Sequence, residues 1–455
     1  MTDDEAGADL RALQDELRGR GIRTLVAAFV DLHGLPKGKL VPLERLPEWA
    51  AGAERHTAFS MEGFGSWQET DEATALPDLS RLSRLPWEPD RAWAPADLMF
   101  EGKPFPMSSR VVLKAVLAEA EAMGFACDLG IECEVSLLRR GADGALEPPQ
   151  AGGLELPCYD LGGLRAGRSW LDGVAGAIRE LGWGLEAVSH ESGQSQFEFN
   201  IRYADALTAC DRLILFRTMI KHYAEKEGLV ATTMPKPFAD AAGNGAHFNL
   251  SLRRLATGEN AFAGRSGEDP HGLGLGETGI HFLGGVLRHG RGLCAAFAPT
   301  VNSYKRLSSV NGTSIHGPAP TFNSYGGNAR INALRVPTGG GRLENRIPDG
   351  AVNPYLAAAL MLAAGLEGVR ERIDPGPPNA DDLGALDPAE RRRRGIAPLP
   401  QTLREAVEAF SADPLVGRTL GPALRGAFVR AKSREWAEYH HAVGAWETAR
   451  YGRMF

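Results

Sequence analysis

The sequence predicts an α+β protein made of a small first domain, residues 1–104, and a large second one, residues 105–455. Three observations carry that prediction. Segments that alternate like strands are interleaved with longer segments of helical period. The run Lys103-Pro104-Phe105-Pro106 interrupts the chain between the two parts. Beyond it, four short segments place polar groups on one face of a strand and apolar groups on the other.

Residues 3–20 read as a helix, and 24–32 (TLVAAFVDL) as a strand rich in apolar and β-branched residues. A Gly/Pro/Lys loop follows at 34–39. Residues 60–106 carry many Pro, Trp and Asp residues with little periodicity, which predicts strands and loops. Ser109 is placed to cap a helix over 110–123. Further strands are predicted at about 130–138, 184–189, 196–202 and 246–252. Further helices are predicted at 168–181, 206–227, 353–369, 401–411 and 421–446. Residues 374–400 form a Pro/Asp/Arg-rich surface segment, in which Arg391 to Arg394 read as a solvated face.

Composition narrows the function classes. Of 455 residues, 43% are apolar and 24% charged, as in a globular protein with a sizeable core. Lys and Arg number 50 against 57 Asp and Glu, so the net charge of −7 argues against a nucleic-acid coat or a polybasic membrane binder. Five cysteines with no C-x-x-C pair argue against a disulfide framework or a zinc–thiolate site and predict a cytoplasmic location. The acidic N-terminus does not read as a signal peptide, and no apolar run reaches the ~20 residues that span a bilayer.

The chemistry is written in the four polar faces. Glu132 and Glu134 share one side of Gly130–Val135, and Gln196, Glu198 and Asn200 alternate with two phenylalanines. His247, Asn249 and Ser251 repeat that alternation, and Arg342, Glu344 and Arg346 form a charged ladder. Together they predict a polar cavity lined by a sheet. From Thr278 to Leu343 there is no acidic residue, while seven cations (Arg288, Arg291, Lys305, Arg306, Arg330, Arg335 and Arg342) occur there. In an acidic protein that run predicts an anion-binding wall. Carboxylates facing guanidiniums are what phosphoryl transfer from a metal-nucleotide requires.

Six ordered motifs carry a resemblance: Glu132-x-Glu134; Glu191-x6-Glu198 after His190; Met234-Pro235-Lys236-Pro237; Gly243-Asn244-Gly245-Ala246-His247; Asn302-Ser303-Tyr304-Lys305-Arg306; and Arg342-x-Glu344-x-Arg346-x-Pro348-Asp349. The chain resembles the glutamine synthetase family from about residue 20 onward, and within it the branch of glutamate–methylamine ligases and γ-glutamyl amide synthetases. The resemblance implies a β-grasp-like N-terminal domain, a catalytic domain with a curved antiparallel sheet, and a homo-dodecamer of two hexameric rings. It implies two or more Mg²⁺ or Mn²⁺ ions, one held by Glu134, Glu191 and Glu198, the second by Glu132, His247 and Glu344. Arg306, Arg346 and the backbone of Gly243 would bind glutamate. Asn249, Ser251, Arg330, Arg335 and Arg342 would bind the nucleotide, with Arg330 also acting on the transferring phosphoryl group.

The implied reaction is ATP-dependent formation of γ-glutamyl phosphate from glutamate, followed by attack of an amine. Ammonia-using members carry an acid in an Asp-Gly-Ser-Ser loop and another in a Gly-Tyr-Glu-Ala-Pro flap. Here the first loop reads Met61-Glu62-Gly63-Phe64-Gly65-Ser66-Trp67, with Glu62 in place of the Asp, and the flap Ser308–Pro318 has no acid. Phe64, Trp67 and Ile315 offer apolar surface, and His316 is a candidate proton acceptor. The expected substrate is therefore a primary alkyl or aryl amine such as methylamine. Ammonia-dependent glutamine synthesis and a non-catalytic scaffold or sensor are the alternatives. The segment 381–385 lacks the Tyr of adenylylated members.

Overall fold

The computed structural model describes residues 3–61, 63–64, 72–149, 154, 157–264, 269–310, 313–314 and 319–455. Helix α1 (Asp3–Gly19) leads into the first sheet. Its strand β1 (Thr24–Val30) lies antiparallel to short flanking strands, β2 (Glu72–Pro77) follows, and β3 (Glu88–Phe100) is the longest. β1 and β3 pair in parallel at the centre, while β2 runs antiparallel to β3, in keeping with the β-grasp-like expectation. Leu25, Leu46, Trp49 and Leu98 are fully buried beneath this sheet.

The second sheet follows α2 (Ser109–Ala122). It is built on β4 (Phe125–Arg140), which spans both rows of the molecule's polar and apolar alternation. After α3 (Arg168–Glu180) come β5 (Leu185–His190) and β6 (Gln196–Ile201), then α4 (Ala206–Glu225) and β7 (Ala246–Arg254). Helix α5 (Glu277–Phe297) precedes β8 (Phe322–Gly326), β9 (Asn332–Arg335) and β10 (Leu343–Asn345). Helices α6 (Pro354–Glu371), α7 (Leu403–Ala412) and α8 (Pro414–His441) follow in the C-terminal part. The strands lie in the order β5-β6-β4-β7-β10-β9-β8. Their pairings are antiparallel except for β8 with β9, which are parallel.

One face of this sheet is closed by helices. Cys133, Val135, Phe197, Phe199, Phe248 and Leu250 are buried on it. Each such side chain contributes about 1.5–3 kcal/mol relative to exposure. The carboxylates between them are left on the opposite face. Helix α6 is apolar on all sides because it lies inside the molecule. Asn353 caps it, accepting from the backbone N–H groups of Tyr355 and Leu356, and Pro354 sits in its first turn.

Helix α5 is absent from the expected elements. Its glycines disguise it, and packing explains them: a Cβ on Gly285 would stand 2.1 Å from the Ala364 carbonyl oxygen, and one on Gly368 would stand 2.1 Å from that of His281. Two helices in such close contact leave no room for side chains at the crossing. Helix α5 also corrects the expected cationic wall. Arg288 pairs with Glu371 and Glu367 on α6, and Arg291 donates to the Pro398 carbonyl, so both are engaged in tying α5 to its neighbours. At the C-terminus, α8 begins at Pro414 and breaks at Gly421 (φ 70°, ψ 170°), just before Pro422. In the arginine run, Arg393 and Arg394 pair locally with Glu390, while Arg391 turns inward over the Phe322 ring.

Candidate active site

Strand register assembles the site from residues far apart in the chain. Glu134 on β4 stands opposite Glu198 on β6. Glu132 stands opposite His247 on β7, and Asn249 opposite Glu344 on β10. Arg335 on β9 is the other neighbour of Glu344. A shift of one residue in any of these pairings would turn a carboxylate into the apolar layer. Glu191 lies just past β5, where its N–H donates to the Gln196 carbonyl (2.8 Å) and its carboxylate accepts from Ser189 Oγ (3.1 Å).

The charges converge on one small volume. One ligand atom from each of Glu132, Glu198 and His247 lies within 4.8 Å of the others. His247 Nδ1 is 3.6 Å from both Glu132 Oε2 and Glu344 Oε1. Burial pushes the Glu198 carboxyl up to about 8, with Glu134, Glu132 and Glu191 adding to the effect. Burial also pushes Glu134 up to about 7, against the pull of the Gly245 N–H and Arg306. Glu191 is raised by burial and by Glu132, while Ser189 and Arg330 oppose. Burial, with the cation of Arg346 nearby, holds His247 well below its ordinary value, so it is a neutral imidazole. Glu344 differs. Burial would raise it, but Arg346, with help from His247 and Arg335, outweighs that and keeps it below the usual carboxylate range. Its two oxygens accept from Arg346 Nη1 and Arg335 Nη1, each at 2.5 Å.

Amide side chains hold these groups in place. Gln196 Nε2 donates to Glu134 Oε2 (3.1 Å) and to the carbonyl of Gly243 (2.9 Å), and the Gly245 N–H donates to Glu134 Oε2 (2.6 Å). Asn200 Nδ2 donates to Glu198 Oε1 (2.8 Å). Asn249 bridges the two ends of the site: its Nδ2 donates to Glu132 Oε1 (3.0 Å) and its Oδ1 accepts from Arg342 Nε (3.1 Å). Arg306 is buried, donating to the carbonyls of Ile347 (3.0 Å) and Arg346 (3.1 Å), with Nη2 3.5 Å from His247 Nε2. A Cβ on Gly243 would stand 2.3 Å from the Pro235 carbonyl oxygen and 3.1 Å from Arg306 Cγ, so only glycine fits beside that arginine. The Arg330 carbonyl accepts from Arg346 Nε (3.1 Å). Asn244 Oδ1 accepts from Gln196 Nε2 in turn (3.0 Å); nothing in the sequence marks Gln196, Asn200 or Asn244 as supports, although Gln196 and Asn200 lie on the polar face that marks the site.

A cavity of about 590 Å³ opens beside the cluster, lined by Glu132, Asn200, Asn249, Ser251 and Arg342 among others. That size accommodates a ligand as large as a nucleotide. Arg253 on β7, with Tyr203 and Asn260 from separate loops, completes its walls, without a sequence signal that links the three. Glu62 and His316 lie outside the described residues, as do Trp67 and Ile315. Phe64 is fully buried and packs edge-on against Phe105, so it offers no surface to a substrate.

Four carboxylates and an imidazole around one volume make a hard, oxygen-rich donor set, which suits Mg²⁺ or Mn²⁺. Burial is the first cause of the raised carboxyls, and for Glu198 the neighbouring carboxylates add to it; a divalent cation would offset both, so the residues fit one. Fold and site thus define an α+β protein with a divalent-cation-type centre at the mouth of a ligand-sized cavity. The glutamine synthetase catalytic domain matches residues 106–451. A glutamate–methylamine ligase of Methyloversatilis universalis is 39% identical over 97% of this chain and 99% of its own length. A glutamine synthetase of Rhizobium meliloti is 37% identical over 94% of this chain and 96% of its own. A solved GmaS/ADP complex superposes with a TM-score of 0.88 at 39% identity, covering 96% of this chain and 98% of that one. The chain belongs to the glutamine synthetase family.

Proposed function

We propose that the protein is an ATP-dependent ligase that joins an amine to the γ-carboxylate of glutamate, with a primary alkyl or aryl amine such as methylamine as acceptor. The observation that carries this reading is the register-built cluster of Glu132, Glu134, Glu198, His247 and Glu344 beside the 590 Å³ cavity. Similarity to a glutamate–methylamine ligase over nearly the whole chain supports it. Glu134, Glu191 and Glu198 would hold one divalent cation and Glu132, His247 and Glu344 a second, which when bound would neutralise the triphosphate and orient its γ-phosphoryl group.

The residues of the chain supply the rest. Ser251, Asn249 and Arg342 face the cavity and would anchor ATP at one end. Arg306 and Arg346, with the backbone at Gly243, would hold glutamate at the other. An oxygen of its γ-carboxylate attacks the γ-phosphorus, and ADP leaves. Arg330 and Arg335 would stabilise the charge on the transferring group. The amine nitrogen then attacks the acyl carbon of γ-glutamyl phosphate, phosphate departs, and the amine proton passes to a base, with Glu62 and His316 as candidates. Water must be excluded, because the acyl phosphate hydrolyses.

The flap sequence Ser308–Pro318 lacks the acid of the ammonia-using members, and that departure supports an alkyl or aryl amine. Relatives of comparable identity use the name glutamine synthetase, so ammonia is the second reading. An amine panel decides between them, with phosphate release as readout and ammonia, methylamine, isopropylamine, ethanolamine, aniline and a polyamine as acceptors. The proposal expects release that requires ATP, glutamate and an amine together, fastest with an alkyl or aryl amine. Faster turnover with ammonia makes the protein a glutamine synthetase. No release with any amine makes it a scaffold or sensor. We also propose that the chain divides into domains between residues 104 and 105, assembles as a dodecamer of two hexameric rings and works in the cytoplasm. Among the described residues no helix is long and apolar enough to cross a membrane.

A further inference from the structure

Asp349 closes the Arg342-x-Glu344-x-Arg346-x-Pro348-Asp349 motif and takes no part in the proposed reaction. It is fully buried, and several chain segments cross at it. Its backbone forms a bridge with Gly245, flanked by bonds from the Ala246 N–H to the Pro348 carbonyl (3.0 Å) and from the Gly350 N–H to the Asn244 carbonyl (3.3 Å). Its own N–H donates to the Phe297 carbonyl at the end of α5 (3.2 Å). The carbonyls of Arg346 and Ile347, just before it, accept from Arg306 (3.1 and 3.0 Å). The segments that carry Gly243, Arg306 and Arg346, the groups assigned to glutamate, are thus joined through the turn at Asp349.

Its side chain acts on the same residues. Oδ1 accepts from the Ala351 N–H (2.9 Å), while Oδ2 is buried with no hydrogen-bond donor meeting it among the described residues. Burial pushes the carboxyl up to about 6; Arg306 does most to oppose it, with the Ser303 hydroxyl, the Ala351 N–H and Arg217 helping. Burial lowers Arg306 in turn, and Asp349 is the first of the acids that oppose that, ahead of Glu134. Cys133, Cys294 and Tyr304 also feel Asp349, and burial keeps all three protonated near neutral pH. Lys432 on α8 feels it after Glu435 and Asp31. Glu134 is a proposed cation ligand, so its charge is shared, whereas that of Asp349 is left to Arg306 and its neighbours. An asparagine could accept the same Ala351 bond without burying a charge, so the charge itself is the feature to explain.

We propose that Asp349 is a positioning residue for glutamate, whose negative charge fixes the Arg306 guanidinium beside the Gly243–Gly245 turn, where the substrate carboxylate is received. The inference rests on the proposed ligase reading, in which Arg306 binds glutamate. Asp349→Asn in the full-length protein removes the charge and keeps the shape and the Ala351 bond. Stability separates a positioning acid from a structural one. A carboxyl raised in the fold stabilises fully below its unfolded value and loses that contribution as pH rises through the folded one, here about 6. Ionised Asp349 therefore opposes folding at pH values above that, and its neutral isostere does not.

Calorimetric titration of L-glutamate and, separately, of ADP tests this, with Mg²⁺ present. The variant is expected to bind glutamate about fivefold or more weakly at about pH 8, to bind ADP within about twofold of the native protein, and to melt at the native Tm or above it. The native advantage in glutamate binding fades as pH falls through about 6, because protonated Asp349 is as neutral as the asparagine. Ser303→Ala removes a group that favours the charged form and moves that fading to higher pH. Equal glutamate binding by Asp349→Asn overturns the proposal. So does weaker binding of both ligands together with a lower Tm, which marks a structural acid, and so does a native advantage of the same size at about pH 5.5 and about pH 8. Should Asp349→Asn fail to fold, Ser303→Ala decides, and a pH profile that coincides with the native one counts against the role. A native protein that binds no glutamate overturns the ligase reading and the positioning role with it, whereas equal binding by native protein and variant refutes the positioning role alone.

Discussion

Glu198 and Glu134 carry their charge at a cost. Burial pushes them up to about 8 and about 7 from an ordinary value of 4.5. A carboxyl whose folded value lies above its unfolded one stabilises the fold fully below the unfolded value, and that contribution is lost as pH rises through the folded value. The metal-free protein is therefore expected to lose thermal stability progressively between about pH 4.5 and about pH 8, and Mg²⁺ or Mn²⁺ to raise Tm more at about pH 8.5 than at about pH 6. Thermal scans with and without chelator check this, and a metal-induced shift equal at both pH values contradicts it. Glu198→Gln removes one buried charge at the same site. It is expected to raise the Tm of the metal-free protein at about pH 8, to abolish most of the metal-induced shift and to lower kcat on the order of 100-fold or more. A variant with native turnover would show that Glu198 does not serve the reaction.

At the scale of elements, the C-terminal helices meet at His289. Its Nδ1 contacts Asp413 at 2.9 Å, and its Nε2 contacts Glu367 at 2.9 Å. A ring with a carboxylate at each nitrogen must donate twice and is therefore an imidazolium. Burial would lower its pKa, but the hydrogen bonds to Asp413 and Glu367 outweigh that and raise it above 6.5. Asp413 also caps α8 through the Leu415 N–H (2.9 Å), and Glu367 pairs with Arg418, so three helices share the charge. His289→Leu is expected to cost about 3–5 kcal/mol, because Asp413 loses its charged partner and Glu367 keeps only the arginines at its outer edge. The wild-type advantage over this variant is full below about pH 6.5 and fades as pH rises through the raised value. Chemical denaturation at two pH values reads it, and a pH-independent difference contradicts the assignment. The partners of His289 lie 78 and 124 residues away in the chain, so no local pattern marks them.

Across the whole molecule, Arg110 joins the two sheets. Its guanidinium donates to Asp97 (2.7 Å) and Asp78 (2.9 Å) in the N-terminal part and to both oxygens of Asp211 on α4 (3.0 and 3.1 Å). Tyr355 Oη donates to the same Asp211 (2.6 Å). Asn353 adds a second tie, donating to the Leu32 carbonyl (3.2 Å). Arg110→Ala leaves Asp78, Asp97 and Asp211 with, among the described residues, only the more exposed Arg81 and Lys114 as cations and is expected to cost about 3–5 kcal/mol. Limited proteolysis should then cut within residues 101–108, where the wild type resists. Unchanged resistance in the variant would mean that other contacts hold the parts together.

Much of this was readable before any fold was known, because it depends on local periodicity. The Glu132/Glu134, Gln196/Glu198 and His247/Asn249 faces follow from the two-residue repeat of a strand, and the apolar helix at 353–369 from its composition. Residue identities also named the family and the donor set. Which carboxylate faces which histidine was settled by register alone, since Glu132 and His247 are 115 positions apart and meet because two strands pair. The division of the cations into Arg335 and Arg346 bound to Glu344, Arg288 bound to a helix, and Arg306 set near Asp349 and Glu134 arose the same way. Charge partners are chosen by distance in space, which the order of residues does not encode locally.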